Sequence, residues 1–332
     1  MTDAMTDAMT DATTGRRVLS VVSPVYCEEA SIEGFHRRLT AVLESLAPHL
    51  DHEIVYINDG STDGSLSLLR KIATDDPHVR IIDFSRNFGH QTAITAGIDH
   101  AIGDAVVVID SDLQDPPEVL SQMVERWQDG YKVVYGVRTR RNGETLFKRA
   151  TARIHYAILD RLSDVVIPRH AGDFRLMDRA VVDVLRSMRE ESRYIRGMVS
   201  WAGFRQCGVE YERDARNAGH SAYTFRKMFG LARDGITGFS ERPLKIATNL
   251  GVLTTLVGFA LGLYVVASEL LRDANSIRGW TSLMAAVLFL GGIQLLCVGV
   301  IGEYVGRLHR ESKHRPLYVV AERINLDPPE PQ

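Results

Sequence analysis

The sequence predicts an α/β domain on a mostly parallel sheet, followed by an interfacial amphipathic helix and a two-helix transmembrane hairpin. Three observations predict it. Short β-rich runs alternate with helical patterns early in the chain. Polar residues collect directly after successive runs. Near the end, two long stretches carry no charge.

The runs are VLSVVS (18–23), EIVYIN (53–58), VRIIDF (79–84), AVVVID (105–110) and KVVYG (132–136). Their β-branched and aromatic residues suit a pleated, buried surface. Helical patterns lie near 31–47, 64–75, 90–101 and 117–129. Strand–helix alternation needs crossover connections, which give a parallel sheet covered on both faces. Ligands of such sheets bind beyond the carboxyl ends of the strands. Ser23-Pro24, Asn58-Asp59-Gly60-Ser61, Ser85-Arg86-Asn87 and Asp110-Ser111-Asp112 stand there. Turns alone do not account for four such ends, and the set reads as a binding rim.

The fourth end, VVVIDSDLQDPPE (106–118), carries three carboxylates. Asp115 before two prolines suits a helix cap. In an extended chain Asp110 and Asp112 point to one side. Two like charges so placed are costly unless a cation or a water-filled cleft receives them. Mg²⁺ is usually held by one or two carboxylates plus substrate phosphates, so the pair suits a diphosphate ligand. A plain acidic turn is the other reading, since D-x-D is common. No G-x-x-x-x-G-K-[ST] stretch and no G-x-G-x-x-G after the first strand are present, which argues against a P-loop and a Rossmann dinucleotide site.

Residues 1–16 open with MTDA written three times and read as a disordered tail. The net charge of -3 gives no whole-chain case for nucleic acid. Cys27, Cys207 and Cys297 are odd in number and far apart. They make no disulfide framework or metal pair, and a reducing setting follows. Residues 246–267 and 279–302 are free of charge for 22 and 24 positions. Each is long enough to cross a bilayer. Arg242 and Lys245 precede the first; Arg307, Arg310, Lys313 and Arg315 follow the second. The positive-inside rule then puts both termini and the N-terminal domain in the cytoplasm. Within 218–245, Phe225, Met228, Phe229, Ala232, Ile236 and Phe239 recur at helical spacing with basic residues elsewhere, as in a helix lying in the membrane surface. The expected divisions are a domain at 17–217, this juxtamembrane segment, the spans within 246–302, and a cytosolic tail at 303–332.

The motifs SPVYCEE (23–29), NDGSTDGS (58–65), SRNFGHQTAITAGID (85–99), DSDLQDPPE (110–118), GDFRLM (172–177) and GEYVGRLHRESKHRPLYVV (302–320) occur in this order. With a membrane hairpin between the last two, the chain resembles the family 2 glycosyltransferases of the GT-A fold. Within them it looks most like the bactoprenol-phosphate glucosyltransferases, relatives of dolichol-phosphate mannose synthase. The resemblance implies that Pro24, Tyr26 and Glu28 line a nucleotide pocket and that Asp59 meets the base or ribose. It implies that Asp110 and Asp112, with Gln114, hold Mg²⁺ or Mn²⁺ against a sugar-nucleotide diphosphate. Cys27 stands where such enzymes usually carry Asn. His90 stands where Lys is common, either touching donor phosphates or simply starting a helix.

The reaction the resemblance implies is inverting transfer of a hexose, glucose favoured, from a nucleotide sugar such as UDP-glucose to a polyprenyl phosphate. Mannose and N-acetylhexosamine donors stay open. The resemblance further implies an integral protein of the bacterial cell membrane, tetrameric like its relatives. An acceptor phosphate is already an anion, so the site needs a cationic clamp more than a base. Arg138, directly after the fifth strand, is the first candidate, with Lys148, Arg149 and Arg196 behind it. Asp173 lies where hydroxyl-glycosylating relatives place a base. The acceptor chemistry favours it orienting Arg175 or another guanidinium, or bonding the sugar. Two other readings are a processive polysaccharide synthase and a non-catalytic nucleotide-sugar sensor. The synthase signature Q-x-x-R-W is only approximated by Gln122 and Arg126-Trp127.

Overall fold

The computed structural model describes residues 16–138, 171–191, 193–212, 242–271 and 280–326. An α/β/α sandwich forms first: β1 (Val18–Val25), α1 (Ile32–Leu46), β2 (Asp51–Asn58), α2 (Ser65–Asp75), β3 (Val79–Phe84), α3 (His90–His100), β4 (Ala105–Val108) and α4 (Leu120–Gln128, entered through a 3₁₀ turn at Pro117–Val119). The chain continues with β5 (Val133–Arg138), β6 (Ala171–Asp178), α5 (Arg179–Ser187), α6 (Ile195–Ala202) and β7 (Gln206–Tyr211). The hairpin is α7 (Arg242–Leu271) and α8 (Trp280–Glu311), and β8 (Val320–Ile324) follows it.

The sheet has eight strands in the order β7-β5-β6-β4-β1-β2-β3-β8. β1 pairs in parallel with β2 and β4, β2 with β3, and β5 with β7. Only β6 and β8 run against their neighbours. The near-continuous apolar run of β1 follows from its place: Leu19, Val21, Val22 and Val25 are all buried, alternating between two covered faces. One face packs against α1, α2 and α4 through Phe35, Leu39, Leu69, Met123 and Trp127. The other packs against α3, α5 and α6 through Ile94, Ile98, Val181, Leu185 and Met198. In α1 the buried residues Ile32, Phe35, Leu39 and Leu43 follow the helical period. Each large apolar side chain so buried contributes about 1.5–3 kcal/mol.

One expectation changes. The segment 303–332 is not simply a tail. β8 adds antiparallel to β3, at the sheet edge. Tyr318 stacks on Phe84 at 5.2 Å, and its hydroxyl donates to Asp99 at 3.1 Å. Asn325 donates to the carbonyls of Ala73 and Val79, both at 2.9 Å. Arg70 pairs with Glu322. The chain therefore leaves the domain, passes through the hairpin and rejoins the same sheet.

Two spans were expected within 246–302, and α7 and α8 lie there. Among the described residues one helical stretch, Phe289–Glu311, is long and apolar enough to cross a membrane, with mean hydropathy 1.6 and none of it buried within the chain. The described part of the first helix carries an apolar stretch at Leu244–Ala260. Thr248, Thr254 and Thr255 each donate their hydroxyl to a carbonyl one turn back, which is how such side chains are satisfied without water. The juxtamembrane amphipathic segment expected at 218–245 lies outside the described residues up to position 241.

Candidate active site

The site is assembled by strand direction. Because β6 runs against β4, with Arg175 opposite Val108, the start of β6 reaches the finish of β4. Asp173 is thereby carried toward Asp110. β4 itself stops at Val108, earlier than the sequence suggested. Residues 110–115 turn instead of extending, and Leu113 takes φ +60°. Asp110 and Asp112 are therefore not placed by strand alternation. A local turn presents them, with Asp112 Oδ1 accepting from the Gln114 amide at 3.0 Å.

The three carboxylates of this stretch have three environments. Asp110 Oδ1 is buried and has no hydrogen-bond partner. Burial pushes its carboxyl up to about 6, with Asp173, Asp115 and Asp112 adding to the rise and His90 opposing it. Asp112 is partly open to solvent. Asp115 is fully buried, and Arg138 Nη2 donates to its Oδ2 at 3.1 Å while the Tyr211 hydroxyl donates to its Oδ1 at 2.5 Å. Its expected role as a helix cap is not seen: the 3₁₀ turn begins after Pro116 with no side-chain cap.

Asp173 is gripped from one side. Arg196 Nε donates to its Oδ1 at 2.7 Å and Nη2 to its Oδ2 at 3.0 Å, the fork geometry of a strong pair. His90 Nε2 lies 3.3 Å from Asp173 Oδ2 and 3.7 Å from Asp110 Oδ1. Burial raises the Asp173 carboxyl, but the bonds from His90 and Arg196 outweigh it and hold the group well below the usual carboxylate range. The cleft walls push His90 down, while Asp173 and Asp110 push it up further, to about 9. Asp173 therefore orients a guanidinium, and that guanidinium is Arg196. Arg175 is only 3% exposed, and its Nη2 donates to the Gly172 carbonyl at 2.9 Å. Burial lowers Arg175 to about 10.

The remaining expected residues divide. Asp59 is buried, and its carboxylate accepts from the amides of Phe88 at 2.7 Å and Gly89 at 3.0 Å. It thus ties the β2 loop to the start of α3. Glu28 Oε2 accepts from Ser31 at 2.7 Å at the head of α1. The Pro24 carbonyl accepts from Ser111 at 3.1 Å, joining the first rim loop to the acidic one. Tyr26 is half exposed at the rim, and Gln114 is buried in the acidic loop. Cys27 has φ +55°, the left-handed region in which Asn sits readily. Its amide is held by Ser61 Oγ at 3.0 Å. Lys148 and Arg149 lie outside the described residues. The approximate synthase signature is structural: Trp127 Nε1 donates to Asp178 at 2.8 Å, and Arg17 lies over its ring.

Two residues of the site had no sequence signal. Gln91 donates to Asp173 Oδ2 at 3.4 Å and accepts from the Ile195 amide at 3.0 Å, bracing α6 where Arg196 begins. Tyr211 comes from β7, a short strand without strong alternation. Only the proximity of Gln91 to His90 could have drawn attention to the first.

An open acidic turn at the end of a parallel strand, faced by an antiparallel strand's aspartate and the helix arginine that grips it, is the site of a sugar-transferring GT-A domain. Residues 20–186 match glycosyl transferase family 2 and residues 242–308 match the GtrB C-terminal hairpin, so the chain belongs to glycosyl transferase family 2. It is 49% identical to an uncharacterised glycosyltransferase of Bacillus subtilis (strain 168), YkcC, over 93% of this chain and 94% of that one. It is 42% identical to the bactoprenol glucosyl transferase of Shigella phage SfV, over 91% and 97% of the two chains. Among solved structures, a mannosyltransferase from Pyrobaculum calidifontis aligns with a TM-score of 0.46 at 15% identity, over 91% of this chain and 77% of that one.

Proposed function

We propose that this glycosyltransferase moves a glucosyl group from UDP-glucose to a polyprenyl phosphate at the cytoplasmic face of a membrane. The observation that carries the acceptor assignment is the engagement of the acids. Asp173 is forked by Arg196, and Asp115 is held by Arg138 and Tyr211. Asp110 Oδ1 has no hydrogen-bond partner, and Asp112 stands in the same turn. With Asp173 and Asp115 so engaged, an acceptor that needs no base suits the site, and a phosphate is one. The likeness to bactoprenol glucosyl transferases supports a polyprenyl acceptor and a glucosyl group.

The residues present fit a divalent cation. Asp110 offers a buried oxygen without a hydrogen-bond partner, and Asp112 a second carboxylate close by in sequence. The described residues contain no group of three side chains able to hold a metal alone. That suits Mg²⁺ or Mn²⁺, which complete their shell with diphosphate oxygens. Bound there, the ion would supply Lewis-acid stabilisation of the leaving diphosphate.

The chain's own groups do the rest. Asp59 fixes the β2 and α3 loops as one rim beside the donor. His90, protonated at neutral pH, offsets part of the negative charge between Asp110 and Asp173. Arg138 draws in the acceptor phosphate. A phosphate oxygen then forms the new bond to the sugar's C1 as the bond from C1 to the nucleoside diphosphate breaks, inverting that carbon. The hairpin supplies membrane contact. Since β8 rejoins the sheet after α8, both ends of the hairpin meet the bilayer on the domain's side.

The test is a panel of radiolabelled nucleotide sugars given to membranes containing the protein and polyprenyl phosphate. Label should enter the lipid from UDP-glucose. Transfer only from another nucleotide sugar would replace the donor, and labelled polymer in place of glycolipid would replace the reaction.

A further inference from the structure

We propose that Tyr211 and Asp115 are positioning residues that aim the Arg138 guanidinium at the acceptor phosphate. The inference rests on the reading of Arg138 as the acceptor clamp.

The three side chains close a triangle. β7 pairs in parallel with β5, and the last pair in register is Arg138 with Tyr211. Arg138 Nε donates to the Tyr211 hydroxyl at 3.2 Å, and that hydroxyl donates to Asp115 Oδ1 at 2.5 Å. Arg138 Nη2 closes the circuit on Asp115 Oδ2 at 3.1 Å. Asp115 belongs to the loop after β4, so three separate segments meet. Both oxygens of Asp115 are taken, which separates it from Asp110 and Asp112. It is the counter-ion of an arginine.

The surrounding backbone is shaped for the triangle. Phe174 meets the Tyr211 ring edge-on at 5.7 Å. A Cβ at Gly136 would lie 2.6 Å from Tyr211 Cε1, and one at Gly172 would lie 2.9 Å from Arg138 Nη2. The β5–β6 register slips between Tyr135 and Val137, at Gly136 itself. Two neighbouring strands thus carry glycine where the ring and the guanidinium need room.

The chemistry of an arginine clamp gives the arrangement its use. A guanidinium has five N–H donors in a rigid fork. The triangle uses two of them, and among the described residues no further hydrogen bond engages the others. A long side chain otherwise loses rotamer freedom when an anion fixes it. Here it is fixed before the acceptor arrives, and pre-organisation of that kind strengthens binding without a new contact. A partner that acts only by holding the sheet edge together would change stability and leave the two substrates equally affected.

The experiment uses the full-length protein in membranes, with KM measured for polyprenyl phosphate and for the nucleotide sugar. Tyr211→Phe keeps the ring and removes the hydroxyl. It should raise the acceptor KM about tenfold, the equivalent of one hydrogen bond to a charged group, with the donor KM and kcat little changed. In an Arg138→Ala background the same change should add nothing. Gly172→Ala, which crowds the guanidinium and leaves Tyr211 intact, should reproduce the acceptor effect, and it serves if Tyr211→Phe does not fold. Independent, additive effects of Tyr211→Phe and Arg138→Ala would overturn the positioning role. If both changes move only the donor KM, without additivity, the positioning role stands and the acceptor reading of Arg138 falls.

Discussion

Arg196 and Asp173 form a two-bond fork, 2.7 and 3.0 Å, that joins α6 to the first residues of β6 beside the acidic turn. The fork holds the Asp173 carboxylate ionised and directed at a guanidinium. Asp173→Asn should therefore slow turnover while leaving the acidic limb of kcat against pH in place. A general base contributes roughly 10²- to 10⁴-fold and its limb vanishes with it. The comparison is kcat from pH 5 to 9 at saturating metal and lipid; a limb lost in the variant would make Asp173 the base.

Asp112→Asn should abolish turnover with the protein still folded and in the membrane. Asp112 shares the acidic turn with Asp110, whose buried Oδ1 has no hydrogen-bond partner. Near-normal rates at saturating Mg²⁺ or Mn²⁺ would remove the metal from this turn.

Arg138→Ala should raise the KM for lipid phosphate by about tenfold or more, and that for nucleotide sugar much less, since a charged hydrogen bond is worth about 1.5–3 kcal/mol. Steady-state kinetics with each substrate varied in turn gives both values.

Metal affinity should depend on pH. Asp110 has its carboxyl raised to about 6 by burial, so it gains a proton as the pH falls through that value, and the protonated form does not bind a cation. Mn²⁺ affinity, followed by the ion's paramagnetic signal, should fall about tenfold per pH unit below 6. A flat profile down to pH 5 would mean that Asp110 takes no part.

Asn325→Ala should lower the melting temperature of the intact protein. It removes bonds to Ala73 and Val79 that lock the last residues onto the sheet, a loss of about 1–2 kcal/mol. The catalytic constants should hardly move, because the lost contacts are at the far edge. Differential scanning calorimetry in detergent checks the first part and a transfer assay the second.

Most of the first half of the fold was legible in the sequence. The runs 18–23, 53–58 and 79–84 fall inside or on β1, β2 and β3, because buried parallel strands must be apolar along their whole length. Asp59 was legible at the end of β2 because polarity begins where the strand ends, whereas Ser23 lies buried inside β1, which runs on to Val25. What was not legible depends on pairing at a distance. β6 carries Asp173 to Asp110 only because it runs antiparallel to β4, and nothing in GDFRLM states a direction. Arg175 looked like the natural partner of Asp173 from its nearness in sequence, yet Arg196 holds it from another element. β8 is a short run with two charged residues, Glu322 and Arg323, and such a run reads as strand only once an edge is there to receive it.

That last strand has a consequence for how the molecule is made. During synthesis the first strands emerge early, and domains usually fold as they leave the ribosome. Here β3 has no neighbour on its outer side until residues 320–324 are made, and α7 and α8 come before them. Its unpaired edge stays open throughout the making of the hairpin, the kind of edge that invites pairing with the wrong chain. Completion of the enzyme is thereby tied to successful delivery of its helices to the lipid, and a chain stalled at the membrane is left one strand short.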